Sequence, residues 1–149
     1  IVVARLLMAA LSREEVPETE RRGFFLFVDE FQNFTTPTIA SLLSEARKYR
    51  LSLTLANQTL CQLEDEIIDA VLGNAGSLVS LRPGVKDYQQ IEPYVSPPFR
   101  REDLVNLPNY RAVGRLLAGG EPTRPFLFET TPRLETRSSG EPAVEETCR

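Results

Sequence analysis

Two acidic residues and one amide stand where predicted strands end, and their chemistry suits phosphate transfer. Asp29 and Glu30 directly follow the apolar run Phe24–Val28. In open parallel α/β sheets, ligands collect at the carboxyl ends of the strands. An aspartate there can hold a hydrated Mg²⁺, and the adjacent glutamate can polarise an attacking water. An acidic pair after a strand is also common as a loop entry or helix-dipole partner, so both interpretations stay open.

Gln58 ends the next predicted strand, so we expect it to lie close to Asp29 and Glu30 in space. An uncharged amide can hydrogen-bond both a γ-phosphate and an attacking water without repelling either. The alternative is that Asn57 and Gln58 are only a polar exit from the strand. The combination of two neighbouring strand ends, one carrying carboxylates and one an amide, favours a nucleotide site.

Arg47 lies near the end of the helix predicted between these two strands. A cation at a helix C-terminus is favoured by the helix dipole, which is the simpler interpretation. The alternative is an arginine finger that reaches a phosphate bound by a neighbouring subunit. Its guanidinium would then neutralise charge on the γ-phosphoryl group in the transition state.

The elements that position these residues alternate between strand and helix. Phe24–Val28 is an unbroken run of β-formers, which predicts a strand buried on both faces. The remaining predicted elements are a helix from Thr36-Pro37 to about Tyr49, a strand over Leu51–Ala56, a helix over Glu64–Leu72, a strand over Ser77–Leu81 and a helix over Val85–Tyr94. This order predicts an α/β fold with right-handed crossovers on a parallel sheet.

The later part of the predicted domain is less regular. Arg101–Asn106 reads as a helical turn, and Tyr110–Leu117 and Pro125–Glu129 read as strands on either side of Gly119-Gly120. We expect these two strands to form a hairpin at the sheet edge.

The two ends of the chain fall outside this pattern. Val3, Leu6, Leu7 and Ala10 are spaced as one face of an amphipathic helix that should end near Glu15. The apolar stretch is too short for a membrane span. We expect residues 1–130 to be part of one domain and residues 131–149, rich in Pro, Ser, Thr and Glu, to be a disordered tail or linker. The start at Ile1 suggests a piece of a longer protein.

Composition narrows the chemistry further. The 149 residues include no histidine, which excludes Ser-His-Asp, Cys-His and His-ligated metal chemistry. The formal net charge of −4 gives no overall basic footprint for nucleic acid, so any DNA contact must come from a local patch. Two cysteines are too few for a disulfide framework.

Four blocks of this sequence resemble the second half of the motor domain of conjugative type IV coupling proteins, the TraD/TraG-type members of the HerA/FtsK-like P-loop ATPases. The blocks are FLFVDEFQNF, LLSEARKYRLSLTLANQTLCQL, GNAGSLVSLRPG and DLVNLPNYRAVGRLLAGGEPTRPF. They arrive in the expected order and extend from about Phe24 to Thr130. The resemblance implies a partial P-loop NTPase fold of the RecA-like (ASCE) type, a parallel sheet with flanking helices.

The resemblance also implies roles for the residues that match its motifs. Asp29 would bind Mg²⁺ through water, Glu30 would activate the attacking water in a Walker B arrangement, Gln58 would sense the phosphate of ATP, and Arg47 would act between subunits of a hexameric ring. Such a ring moves DNA, typically single-stranded, through its lumen at the cytoplasmic face of the inner membrane. Its partners are relaxosome or secretion-channel proteins, and its membrane anchor lies outside this chain.

One departure from the family pattern limits what this chain can do alone. No glycine is followed by Lys, so there is no G-x-x-x-x-G-K-[ST] loop to cradle the β- and γ-phosphates. The resemblance places the Walker A strand between the strand ending at Gln58 and Ser77–Leu81, so we expect this chain to lack that strand and its loop and to have a gap in the sheet there. We therefore expect the isolated chain to be marginally stable and not to hydrolyse ATP. Two alternatives stay open: a non-catalytic interaction module with the same fold, and a HerA-like DNA-processing ATPase.

Overall fold

The computed structural model describes residues 5, 8–9, 12–35, 43–46 and 48–131. Its strands are β1 (Phe24–Val28), β2 (Leu51–Leu55), β3 (Leu78–Ser80), β4 (Arg111–Arg115), β5 (Leu117–Ala118), β6 (Glu121–Pro122) and β7 (Phe126–Glu129). Its α-helices are α1 (Asp65–Asn74), α2 (Val85–Val95) and α3 (Arg101–Val105). Short 3-10 helices cover Ser12–Glu15, Phe31–Phe34 and Leu60–Gln62.

Strands β1 and β2 form a parallel pair, which confirms the first part of the predicted topology. Phe24 lies opposite Leu51, and Val28 lies opposite Leu55, so the two strands end at the same level. The pairing continues past the strands, because the Ala56 N–H donates to the Val28 carbonyl at 2.9 Å. The carboxyl ends of the two strands are thereby held side by side.

β3 does not pair with β1 or β2, in agreement with the expectation that this chain lacks the Walker A strand between β2 and β3. β3 pairs antiparallel with β4, β4 pairs antiparallel with β7, and β1-β2 is a separate sheet. Within the described residues no strand bridges β2 and β3, and β3 takes its strand hydrogen bonds from β4. The β4–β7 pair confirms the predicted antiparallel strands. Between them lies the small β5–β6 hairpin, and Gly119 and Gly120 in its turn have the positive φ angles that glycine accommodates.

Helix α1 gives the two larger sheets a shared core. Its apolar face packs with Phe31, while Val28 and Leu55 from β1-β2 and Leu78 from β3 pack against the same cluster. The buried members of this cluster are Phe31, Leu63, Ile67, Ile68 and Leu72. A second cluster joins α2, α3 and β4, and it contains Tyr88, Ile91, Val95, Leu104, Leu107 and Val113. The Tyr94 hydroxyl donates to the Leu72 carbonyl and links the two clusters.

The prediction that β1 is buried on both faces is wrong in this chain. Phe25 is 68% exposed and Phe27 is 73% exposed, although both lie in the middle of the strand. Successive side chains of a strand point to opposite faces, so Leu26 and Val28 pack inward while the two phenylalanines share the outer face. No element in the described part of the chain covers that outer face.

Several sequence predictions lie partly or wholly outside the described residues. Residues 5, 8 and 9 are helical, but most of the predicted N-terminal helix is not described. The predicted second helix is described only at residues 43–46 and 48–49, and the predicted tail only at Thr131. The boundary at residue 130 therefore stays a prediction. Among the helices that are described, none is long and apolar enough to cross a membrane.

Candidate functional site

The chain leaves β1 through a tight turn that places Glu30 at the edge of the sheet. Glu30 adopts a left-handed conformation (φ 50°, ψ 48°), which costs on the order of 1 kcal/mol for a residue with a Cβ atom. Two contacts hold it there. The Glu30 N–H donates to Oδ1 of Asp29 at 2.9 Å, and the Phe31 N–H donates to the Ala56 carbonyl at 2.9 Å. Phe31, only 2% exposed, then anchors the turn in the core.

Glu30 and Gln58 meet across the two strand ends. Gln58 Nε2 donates to Oε1 of Glu30 at 2.7 Å, although the residues are 28 positions apart in sequence. Two of the residues predicted to share a site are therefore in direct contact. Their roles in catalysis stay predictions, because a contact alone does not identify a reaction.

Gln32 joins this site, and the sequence reasoning missed it. Its side-chain amide Nε2 donates to Oε2 of Glu30, so both oxygens of that carboxylate are bound by amides. The signal in the sequence was a polar residue inside the aromatic run Phe31-Gln32-Asn33-Phe34, two positions after the acidic pair. Spacing alone could not show the contact, because it depends on the left-handed turn at Glu30 and the 3-10 helix that follows.

Asp29 is exposed at the same edge, and its Oδ1 is engaged by the Glu30 N–H. The described residues contain no group of three or more acidic or sulfur side chains that could cage a metal ion. Mg²⁺ does not need such a cage, because it is usually bound by one or two carboxylates together with waters and substrate phosphates. A single exposed carboxylate is thus compatible with water-mediated Mg²⁺ binding, provided that a nucleotide supplies the other ligands.

Arg47 lies outside the described residues, so the structure gives no position for it. Its role as an arginine finger stays a prediction. Two described neighbours, Ala46 and Tyr49, lie in turn conformations and are buried with Leu51 at the start of β2.

Asp87 fixes the loop that follows Gln58, and it too was missed. Its carboxylate accepts hydrogen bonds from the Thr59 hydroxyl at 2.8 Å, the Leu60 N–H at 2.9 Å and the Cys61 N–H at 3.1 Å. Asp87 belongs to the first turn of α2, so it ties that helix to the segment immediately after the amide of the site. The sequence signal was only an acid near a helix N-terminus, which does not reveal a contact 28 residues away.

The charge of Asp87 is stabilised in this position. Burial opposes its ionisation, but the hydrogen bonds from Thr59, Cys61 and Leu60 outweigh burial, and the pKa of Asp87 lies below its ordinary value. The hydrogen bond with the same carboxylate raises the pKa of the Cys61 thiol. The Cys61 thiol is therefore not activated as a nucleophile.

Solved structures with a similar arrangement define the class of fold. The chain is similar to the genome packaging NTPase B204 from Sulfolobus turreted icosahedral virus 2 in complex with ATP-gammaS, with a TM-score of 0.60 and 16% sequence identity over 88% of this chain and 62% of that one. The complex with AMPPCP gives a TM-score of 0.56 and 16% identity over 85% and 59% of the two chains. At a coarse level the protein has the mixed α/β fold of a P-loop-like NTPase. It spans less than two thirds of the length of these neighbours.

A family match then identifies the region that carries the site. Residues 24–92 match the family described as the TraM recognition site of TraD and TraG. Over this span the chain is similar to the C-terminal region of TraD/TraG-type coupling proteins, in agreement with the resemblance of the sequence blocks. The span contains Asp29, Glu30, Gln32, Gln58 and Asp87. The chain matches none of the curated protein sequences.

Proposed function

We propose that this chain is the C-terminal half of the ATP-hydrolysing motor domain of a conjugative DNA-transfer protein, with its site at the carboxyl ends of β1 and β2. The contact between Glu30 and Gln58 carries the proposal. It joins a carboxylate suited to activating water with an amide suited to contacting phosphate, and nothing in the packing of the core requires it. The match of residues 24–92 to TraD and TraG supports the same assignment.

Each site residue has a distinct role in this proposal. ATP with Mg²⁺ supplies the phosphoryl group and the charge neutralisation that the chain lacks. Asp29, whose carboxylate is exposed, is the residue that would hold the ion through water. Glu30 accepts a proton from the attacking water, and Gln58 turns from Glu30 to hydrogen-bond the γ-phosphate. The contact seen here is then the arrangement before nucleotide binding.

Arg47 is proposed to complete the site of a neighbouring subunit in a hexameric ring. Mixing experiments test an action between subunits directly. Arg47→Ala and Glu30→Gln subunits should each be inactive alone, and mixing them should restore part of the activity. A mixed ring contains interfaces at which an intact Glu30 faces an intact Arg47. If mixing restores nothing while the rings still assemble, Arg47 does not act in trans.

The setting of the motor follows from the family rather than from the site. We propose that the ring lies at the cytoplasmic face of the inner membrane, belongs to the HerA/FtsK-like ATPases and moves single-stranded DNA through its lumen. A relaxosome protein is the proposed partner of residues 24–92, supported by the family description as a TraM recognition site. Secretion-channel proteins would receive the DNA.

The chain by itself is not expected to hydrolyse ATP. It has no phosphate-binding loop in its sequence, and β2 and β3 belong to separate sheets although both pack on the cluster around α1. A strand that carries such a loop would join them and place the loop beside Glu30 and Gln58. ATP turnover by the purified 149-residue chain would overturn this part of the proposal.

The phosphate-sensing role is tested in a longer protein that holds this chain together with a phosphate-binding loop, called the loop-containing protein below. Gln58→Leu should lower the turnover number for ATP by about 100- to 1,000-fold, the usual effect of removing one donor from developing negative charge. The affinity for ADP, which has no γ-phosphate, should stay unchanged. Gln62→Leu is the matched control, because Gln62 is exposed on the next 3-10 helix. Equal effects of the two substitutions would contradict the role of Gln58.

A second candidate function is a non-catalytic module that recruits a protein partner. Two observations favour it: the exposed outer face around Phe25 and Phe27, and the description of the matched family as a recognition site. It predicts binding of a relaxosome protein that survives Glu30→Gln and Gln58→Leu, with no ATP turnover in the loop-containing protein. A HerA-like DNA-processing motor, which shares the ATPase site, would differ only in preferring duplex ends over single strands.

A further inference from the structure

The carboxylate of Glu30 is held by two amides that differ in their freedom to move. Gln58 is exposed and follows the end of β2 in a loop. Gln32 is half-buried, and it follows Phe31, whose side chain is fixed in the core. If Gln58 leaves to contact a phosphate, Gln32 remains as the partner of Glu30.

The orientation of the Gln32 amide is set by the charge beside it. Its Nε2 faces Oε2 of Glu30, because the reverse orientation would put two acceptor oxygens against each other. This leaves Oε1 of Gln32 buried, and no donor in the described part of the chain reaches it. An unpaired buried acceptor lowers stability, so folding alone does not explain this arrangement of the Gln32 amide.

Glu30 itself needs an external constraint. It occupies a left-handed backbone conformation, and backbone strain of this kind persists where the surroundings impose it. The two backbone contacts at Asp29 and Phe31 fix the main chain but leave the carboxylate free to rotate. Only Gln32 and Gln58 among the described residues donate to that carboxylate.

We propose that Gln32 is a positioning residue for Glu30: it holds one carboxylate oxygen in place while Gln58 exchanges between the other oxygen and the γ-phosphate. This inference rests on the proposed function. Gln32 acts through Glu30 and does not itself touch the reacting atoms. Its unpaired Oε1 is the consequence of keeping Nε2 on the carboxylate throughout the cycle.

The contact is tested first in the 149-residue chain, where no nucleotide is needed. Replacing Glu30 by Ala should move the side-chain amide NMR signals of both Gln32 and Gln58, because each loses a charged acceptor. The signals of Gln62 should stay in place and provide the control. An unchanged Gln32 signal overturns the proposal.

The positioning role is tested by kinetics in the loop-containing protein. Gln32→Met keeps the length of the side chain, removes the donor and also removes the unpaired acceptor. It should lower the turnover number by on the order of 10- to 100-fold and leave the KM for ATP within about twofold, as expected for a misplaced catalytic group. The melting temperature should not fall. Asn33→Ala, an exposed neighbour on the same 3-10 helix, should change none of these values.

Four other outcomes separate this inference from the proposed function. Turnover that requires Glu30 but is unchanged by Gln32→Met overturns the positioning role alone. A parallel loss of melting temperature and ATP affinity in Gln32→Met would assign Gln32 to packing and overturn the positioning role. Normal turnover in Gln32→Glu would also overturn it, because that substitution keeps the size of the side chain but removes the donor. Turnover that does not need Glu30 overturns the proposed function, and this inference falls with it.

Discussion

Replacing Asp87 by Asn should destabilise the chain more than any other change of a single carboxylate among the residues described. Asp87 is 9% exposed and accepts hydrogen bonds from Thr59, Leu60 and Cys61. An asparagine keeps one acceptor oxygen but turns an NH₂ group toward donors that need an acceptor. The change therefore removes a charge and leaves part of this set unpaired.

The expected loss follows from the partners. Hydrogen bonds to a charged group contribute about 1.5–3 kcal/mol each, and leaving a buried donor unsatisfied costs about 1–3 kcal/mol. Cys61 is exposed, so water can replace the acceptor of its N–H, whereas the Thr59 hydroxyl and the Leu60 N–H are half-buried. We expect a loss of about 2–3 kcal/mol in the free energy of unfolding, which corresponds to losing one to two of these hydrogen bonds.

Urea denaturation followed by circular dichroism measures this loss, provided that the slope with denaturant is unchanged. Asp69→Asn, an exposed carboxylate on α1, is the matched control and should change stability by less than about 0.5 kcal/mol. If Asp87→Asn behaves like Asp69→Asn, the hydrogen bonds around Asp87 do not hold this loop.

The same pair of proteins gives a pH dependence with a defined sign. The pKa of Asp87 is lowered on folding, so its charge stabilises the folded chain fully at pH values above its unfolded pKa of about 3.9. The difference between the original chain and Asp87→Asn should be constant from about pH 7 to pH 5 and shrink as the pH falls toward the folded pKa. A difference that grows on acidification would refute the reasoning.

Two further predictions concern packing, and unfolding free energies measure both. Phe31→Ala should lower the free energy of unfolding by about 3–5 kcal/mol, because its ring is buried in the core around α1. Phe25→Ser and Phe27→Ser should each lower it by less than about 1 kcal/mol, because both rings are exposed. Equal costs would mean that the outer face of β1 is covered. Gly73→Ala in α1 should stabilise by about 0.5–1 kcal/mol, since nothing lies within 4 Å of the added methyl group. Gly114→Ala should destabilise the chain by about 1–3 kcal/mol, since its methyl group would lie 3.1 Å from the ring of Phe128. If both glycine substitutions changed the free energy of unfolding in the same direction, this packing would be contradicted.

The sequence predicted the local elements well because each has its own apolar pattern. The strands at Phe24–Val28 and Leu51–Leu55 and the helix Val85–Val95 lie close to their predicted positions. The meeting of Glu30 and Gln58 also followed from local information, because consecutive parallel strands end at one edge of a sheet. No longer-range information was needed for either result.

What the sequence could not predict depends on contacts between distant segments. The antiparallel pairing of β3 with β4 joins segments that are far apart in the sequence. The exposure of Phe25 and Phe27 has a related cause, because a run of β-formers indicates a strand but not what covers it. Gln32 and Asp87 entered the site through a left-handed turn and a helix placement, neither of which leaves a pattern in residue spacing.

ATP turnover by the loop-containing protein carrying Glu30→Gln tests the central claim most directly. The substitution keeps the shape and hydrogen-bonding reach of the side chain but removes its ability to take a proton from water. We predict loss of turnover with nucleotide binding retained, measured on the same preparation. Turnover that persists at the original rate would contradict the account and remove Glu30 from its role.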